Sequence, residues 1–217
     1  MVGEVSSKAV KISKELVEKY VNKGYDIISL VPSCTLMMKQ EWPLLLTQNE
    51  DVKKLSKSTF ELSEYIVKLQ KEGMLQKPPK KVENLSVTLH HACHSRAQNF
   101  GFKAKEMLSL VEGLEIKSIE KCSGHGGTFG FMKDHRETAI KVGKPVIQRA
   151  SDSIKSSLDG GSSHLVLSEC PLASDHIVDG ALDKLKITDD FQTVAKKFSA
   201  HPIEVLAKAY GIKDFKN

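Results

Sequence analysis

Residues 115–128 read EIKSIEKCSGHGGT, and the architecture of the chain can be worked out from them. The run 115–119 sets isoleucines among polar residues as a short strand does; Cys122 follows, and glycines at 124, 126 and 127 prevent regular structure from continuing. The same order recurs three more times. DIISLV at 26–31 leads through Pro32 and Ser33 to Cys34, VTL at 87–89 through His90, His91 and Ala92 to Cys93, and HLVL at 164–167 through Ser168 and Glu169 to Cys170. Between these runs lie amphipathic stretches that predict helices at 6–22, 52–72, 96–111 and 137–158, with a last one at 202–210. Short apolar runs alternating with helical ones predict an α/β fold, an open parallel or mixed sheet with flanking helices and the cysteines at the carboxyl ends of its strands.

Within 52–72, Leu55, Leu62, Ile66 and Leu69 fall at helical spacing and predict one buried stripe. GMLQKPPKK at 73–81 reads as a surface connection and the best internal boundary, and DGGSS at 159–163 as a second break. The chain shows no low-complexity tract and no repeat of fixed short period.

With 217 residues the chain can bury a sizeable core. Its excess of basic residues, 32 against 27 acidic, is small and spread out, so no nucleic-acid partner is expected. No apolar run approaches the roughly 18 residues of a membrane helix, and no signal-peptide core opens the chain. A soluble, cytosolic protein is the expectation. Four cysteines so far apart do not form the dense framework of a small secreted domain, which leaves metal or redox chemistry.

In open α/β sheets the loops at the carboxyl ends of the strands form the ligand crevice. Cys34, Cys93, Cys122 and Cys170 could therefore converge there, and four thiolates make a soft site suited to an iron-sulfur cluster or zinc. A single free cysteine is often a small buried hydrophobe, but four in equivalent positions, set among Pro32, His91, His94, Ser123, Gly124 and Pro171, sit in turns. No CxxC pair is present, and structural zinc sites usually show one.

The loop 122–128 lacks the ending of a P-loop and the spacing of a dinucleotide fingerprint, so its glycines suit close backbone approach to an inorganic group. At least one of Gly124, Gly126 and Gly127 is expected to take positive φ. Among the histidines, His91, His94 and His176 read as hydrogen-bonded structural residues. His90, nearest its strand, reads so more strongly still, and His125, between glycines, is the one placed to meet a ligand. No Gly-x-Ser-x-Gly elbow marks a hydrolase nucleophile.

Taken in order, VPSCTLMMKQEWP at 31–43, HHACHSR at 90–96, CSGHGGTFGFMK at 122–133, ECPLASDHIVDG at 169–180 and HPIEVLAKAYG at 201–211 resemble the cysteine-rich CCG domain of iron-sulfur oxidoreductases. That domain occurs in the iron-sulfur subunits of anaerobic glycerol-3-phosphate dehydrogenase and of glycolate oxidase, and in heterodisulfide reductase. The resemblance implies that residues 1–76 are the second half of a first repeat with its following helix and that 82–217 are a C-terminal repeat. Two departures stand out: the family's Cys-Cys-Gly is here Cys122-Ser123-Gly124, and its later CxxC is Cys170-Pro-Leu-Ala173. The resemblance then leaves ligands for one four-iron four-sulfur cluster, of cubane or non-cubane form, from Cys34, Cys93, Cys122 and Cys170, with His125 as an extra or substitute ligand. Members also carry a ferredoxin-like segment ahead of the matched region, so a truncated product or part of a larger protein is expected.

By this resemblance the chain is an electron-transfer subunit that relays electrons between a flavoprotein dehydrogenase and a quinone or other acceptor. Its expected partner is that flavoprotein or a ferredoxin-like domain, and partner subunits would bring it to the inner face of the membrane. The alternative is a zinc-bound or metal-free interaction module that keeps the fold. A thiol-disulfide enzyme is a third reading, against which the missing CxxC speaks.

Overall fold

The computed structural model describes residues 2–187 and 191–212. An amino-terminal lobe begins with α1 (Val2–Lys19) and passes through a short 3-10 turn, ended by Gly24 at φ 86, into β1 (Ile27–Ser29). Then follow α2 (Pro32–Leu36), a π-helical turn (Met37–Glu41), α3 (Trp42–Leu45), α4 (Glu50–Ser58), β2 (Thr59–Glu61) and α5 (Leu62–Lys71). The two strands pair in parallel, Ile28 opposite Phe60, over a small core of Ala9, Val17, Trp42, Val52 and Leu55.

The expected helix at 52–72 is thus interrupted. Thr59 and Phe60 favour extended backbone, and pairing with β1 outweighs the helical propensity around them. Glu61 then starts a new helix through a capping box with Glu64, each side chain accepting from the other's backbone N–H. The expected stripe is split accordingly: Leu55 belongs to the amino-terminal core, whereas Ile66 packs with Val67 on the core of the second lobe.

The second lobe holds β3 (Leu85–His90), α6 (Cys93–Ala97), α7 (Lys103–Leu108), β4 (Glu115–Ile119), two 3-10 turns (Phe129–Phe131 and Lys133–His135) and α8 (Arg136–Gly160). After these come β5 (Ser163–Ser168), α9 (Pro171–Leu185), α10 (Phe191–Phe198), β6 (Ser199–Ala200) and α11 (Pro202–Ala209). The strands form a parallel sheet in the order β4-β3-β5-β6, Leu89 lying opposite both Ser118 and Leu167. Here too one expected helix, 96–111, is two, because Asn99 and Gly101 take φ of 56 and 85 and stop α6.

Alternation along the strands gives the sheet two unlike faces. Val87, Leu89 and Leu167 face Val67 of α5, Met107 and Leu108 of α7 and Leu206 of α11. On the other side Val166 meets Ile154 of α8 and Ile177 and Leu182 of α9, but its neighbours toward β3 are polar. The His164 ring lies 2.7 Å from Ser86 Oγ and 3.1 Å from Thr88 Oγ1, so it bridges two strands inside the sheet. Burial holds His164 neutral, with its pKa lowered to about 4.

The order helix, strand, helices, strand, helix occurs twice, from α1 to α5 and from α8 to α11. In both, the second strand follows its preceding helix without a loop and the last helix opens on a capping box, Glu61 with Glu64 and His201 with Glu204. In the second occurrence β3 and β4 continue the sheet beyond β5.

Acid should weaken this sheet. A histidine with a depressed pKa stabilises the fold fully above its unfolded value near 6.5, and the contribution is lost as pH falls toward 4. Denaturant unfolding of the wild type should therefore lose stability between pH 6.5 and pH 4, by about a factor of ten in the equilibrium per pH unit for this histidine. His164→Gln, which keeps polar contacts without titrating, should show a shallower slope.

Candidate metal centre

Three cysteines emerge from the same edge of the sheet. Cys93 opens α6 just after β3, Cys122 follows β4, and Cys170 is the N-cap of α9 after β5. Strands β4, β3 and β5 are neighbours, and the chain winds outward from β3 to β4 before crossing back to β5. The reversal makes the β3/β5 junction the switch point at which such sheets open a ligand crevice. Cys34 comes from the other lobe, on α2, which packs against α6.

All four are free thiols; Cys34, Cys93 and Cys122 are exposed and Cys170 half-buried. This soft, undisulfided donor set suits a sulfur-ligated metal group. Among the described residues, no three His, Cys, Asp or Glu side chains are grouped closely enough to hold a single ion. Cys93 and Cys170 lie near enough for their charges to interact. Burial raises the Cys170 pKa, opposed by the N–H groups of Leu172 and Ala173 at the start of α9.

The Cys122 loop is shaped as its glycines require. Gly124, Gly126 and Gly127 have φ of 88, 50 and 68. A Cβ at Gly124 would run into the Ala139 carbonyl of α8, and one at Gly143 of α8 into the Ser123 carbonyl, so helix and loop touch backbone to backbone. Beside Gly127 lies open space. The Gly124 N–H donates to Cys122 Sγ at 3.4 Å.

His125 in this loop contacts Ser123 Oγ at 2.7 Å through Nδ1 and Cys170 Sγ at 3.6 Å through Nε2. It thereby brings the loop after β4 to the thiol after β5. Its pKa is lowered, first by burial and then by the nearby His176 and His94.

His90, the histidine read from sequence as the most structural, has both ring nitrogens taken by the protein. Nε2 lies 3.1 Å from the Lys121 carbonyl and must donate to it, so Nδ1 accepts from Ser168 Oγ at 3.1 Å. Ser168 Oγ in turn accepts from Cys170 N–H at 3.3 Å. One imidazole at the end of β3 thus ties the approach to Cys122 to the approach to Cys170. It is 1% exposed, and burial lowers its pKa to about 4. His91 is buried with its ring against Phe102, and His176 is buried with Phe131 edge-on. His94 is exposed one residue after Cys93.

Residues with no evident signal in the sequence complete the surroundings. Arg96 Nη1 donates to the Glu120 carbonyl at 2.8 Å, and Nη2 lies 3.8 Å from Cys93 Sγ. Glu61 and Glu169, both almost wholly buried, meet carboxyl to carboxyl, and burial together with the Glu169 charge raises the Glu61 pKa to about 9. Ser123 alone could have been suspected, from its place between Cys122 and Gly124.

The two loop glycines should respond differently to substitution. Gly124→Ala meets backbone in a left-handed conformation and should cost about 2–3 kcal/mol from overpacking, in addition to about 1–2 kcal/mol of strain. Gly127→Ala should cost only the strain. Thermal unfolding of the two variants checks the order.

Comparison with known proteins matches residues 87–171 to the family described as the cysteine-rich domain, CCG. One of the subunits of anaerobic glycerol-3-phosphate dehydrogenase of Escherichia coli (strain K12) is 28% identical over 132 residues, covering 60% of this chain and 32% of that protein. Lactate utilization protein A of Halalkalibacterium halodurans is 29% identical over 126 residues, covering 55% of this chain and 50% of that protein. Lactate utilization protein A 1 of Bacillus anthracis is 29% identical over 137 residues, 59% and 54% of the two chains. The chain thus spans between about a third and about half the length of these curated relatives. No solved structure matches it. The match covers β3, α6, β4, α8 and β5 together with Cys93, Cys122 and Cys170, and so the chain carries a cysteine-rich domain of the CCG family across residues 87–171.

Proposed function

We propose that this chain is an iron-sulfur electron-transfer component of an oxidoreductase, in which Cys34, Cys93, Cys122 and Cys170 hold one cluster. The observation that carries the reading is the delivery of three free thiols by adjacent parallel strands at the switch point of the sheet. Similarity to one of the subunits of anaerobic glycerol-3-phosphate dehydrogenase supports an oxidoreductase setting. When bound, such a cluster supplies one-electron transfer.

The chain's own residues would place and tune it. His90 holds two of the thiol-bearing loops, His125 stands ready as a further ligand, and Gly126 and Gly127 let backbone N–H groups approach sulfide. The cluster would be of the four-iron four-sulfur kind, in cubane or non-cubane form. Electrons would come from a flavoprotein dehydrogenase or a ferredoxin-like domain and leave to a quinone or other acceptor. Among the described residues no helix is long and apolar enough to cross a membrane, so attachment to the inner face of the membrane from the cytoplasm would run through partner subunits. In this reading residues 1–76 are the second half of a first repeat and 82–217 the C-terminal one, supported by the twice-occurring order of elements.

Zinc is the second reading. The lack of a CxxC pair speaks against it, since structural zinc sites usually show one.

Anaerobic reconstitution with iron and sulfide tests the assignment. The wild type should take up both and gain broad visible absorption, and Cys122→Ser should take up neither, because serine is a poor ligand for a soft site. His94→Ala should keep most of its iron. Normal iron in the Cys122 variant would reject the ligand set, and zinc in place of iron in the purified chain would favour the second reading.

A further inference from the structure

Glu61 is buried, ionisable and unused in the chemistry above, yet it reaches both of the strand ends that carry Cys93 and Cys170. Its Oε1 accepts from Ser95 Oγ at 2.8 Å and its Oε2 from Gln98 Nε2 at 2.6 Å. Ser95 lies within α6 and Gln98 caps its carboxyl end, so the carboxyl grips the short helix that Cys93 opens at two points. The same carboxyl meets that of Glu169, the residue before Cys170. Glu61 is 2% exposed, and its backbone starts α5 in the other lobe. His201, which caps α11 as Glu61 caps α5, lies within reach of the Glu169 backbone.

We infer that Glu61 is a positioning residue of the metal centre, setting the separation of Cys93 and Cys170 by holding α6 and the end of β5 at once from the amino-terminal lobe. The inference rests on the reading that these thiols bind one metal group. Physically, a helix of five residues cannot hold its place by its own hydrogen bonds and takes its position from what grips it. A metal site tolerates little slack in its ligands, and loss of the groups that orient them typically costs about 10–100-fold in affinity. An amide at position 61 can replace the acid, accepting from Gln98 Nε2 while its own N–H donates to Ser95 Oγ, whereas alanine removes the acceptor of the buried Ser95 hydroxyl and leaves Gln98 Nε2 only the His94 carbonyl.

The test uses the full chain, reconstituted anaerobically with iron and sulfide, in wild type, Glu61→Ala, Glu61→Gln and Ser95→Ala. Three quantities are read: the rate at which an iron chelator bleaches the visible absorption, the electron paramagnetic resonance line shape after reduction, and the melting temperature of the metal-free chain. Glu61→Ala should lose iron about tenfold faster or more and change the line shape, while Glu61→Gln stays close to wild type in both. Ser95→Ala, which removes one contact, should move in the same direction by less. Wild-type bleaching and line shape in a folded Glu61→Ala overturn the positioning role and leave the metal reading standing. Failure of the wild type to take up iron and sulfide overturns the metal reading and this inference with it. Should Glu61→Ala not fold, Ser95→Ala decides, and unchanged bleaching there overturns the role.

Discussion

A neutral imidazole at the end of the central strand holds the candidate site together. His90 donates to the Lys121 carbonyl and accepts from Ser168, whose oxygen receives the Cys170 N–H, so the segments leading to two thiols are tied to the strand leading to a third. The arrangement works in one protonation state. A second proton would remove the acceptor that Ser168 needs and place a charge among the nearby His91, Arg96 and His125, and burial keeps that proton off. The histidine that sequence places closest to a strand thus acts by fixing where the thiols stand.

The rest of the sheet accommodates this requirement. On the same face, Ser86, Thr88 and His164 form a polar bridge between β3 and β5 where an ordinary α/β sheet would pack aliphatic side chains. Buried polar groups are tolerable when every partner is present, and here each strand supplies the other's. The apolar contacts displaced from this strip are regained farther along, where Val166 and Ile119 meet α8 and α9, and on the opposite face, where Val87, Leu89 and Leu167 meet three helices. Glycine lets α8 come close enough to serve both ends. Gly143 admits the Ser123 carbonyl, and Gly180 of α9 leaves room for Ile147.

The two lobes meet through chemistry of the same kind. A buried pair of acids is costly unless a proton and donors accompany it, and Glu61 has Ser95, Gln98 and the Glu64 N–H as donors. Packing of α2 against α6 adds the side that carries Cys34. Position in the amino-terminal lobe is thereby transmitted to the thiols of the second.

How much of this was legible in the sequence depends on the range of the forces involved. The run EIKSI is a strand over the very residues expected, and the glycines that follow Cys122 all take positive φ, because backbone sterics and hydrophobic periodicity act within a few residues. The recurring order of strand then cysteine likewise needed no distant partner to be seen. The stop at Asn99 and Gly101 was present in the sequence but masked by the helical spacing around it. Thr59–Glu61 is different in kind: its neighbours favour helix on both sides, and only pairing with β1, about thirty residues away, makes it a strand. The roles of His90, Ser168, Glu61 and Glu169 are of that second kind as well. Each depends on a partner brought close by strand order or by contact between lobes, and a buried polar side chain has no signature in sequence until its partner is known. Local sequence therefore determined which segments are strands and turns, and where the thiols leave them; tertiary structure alone decided which side chains hold those thiols in place.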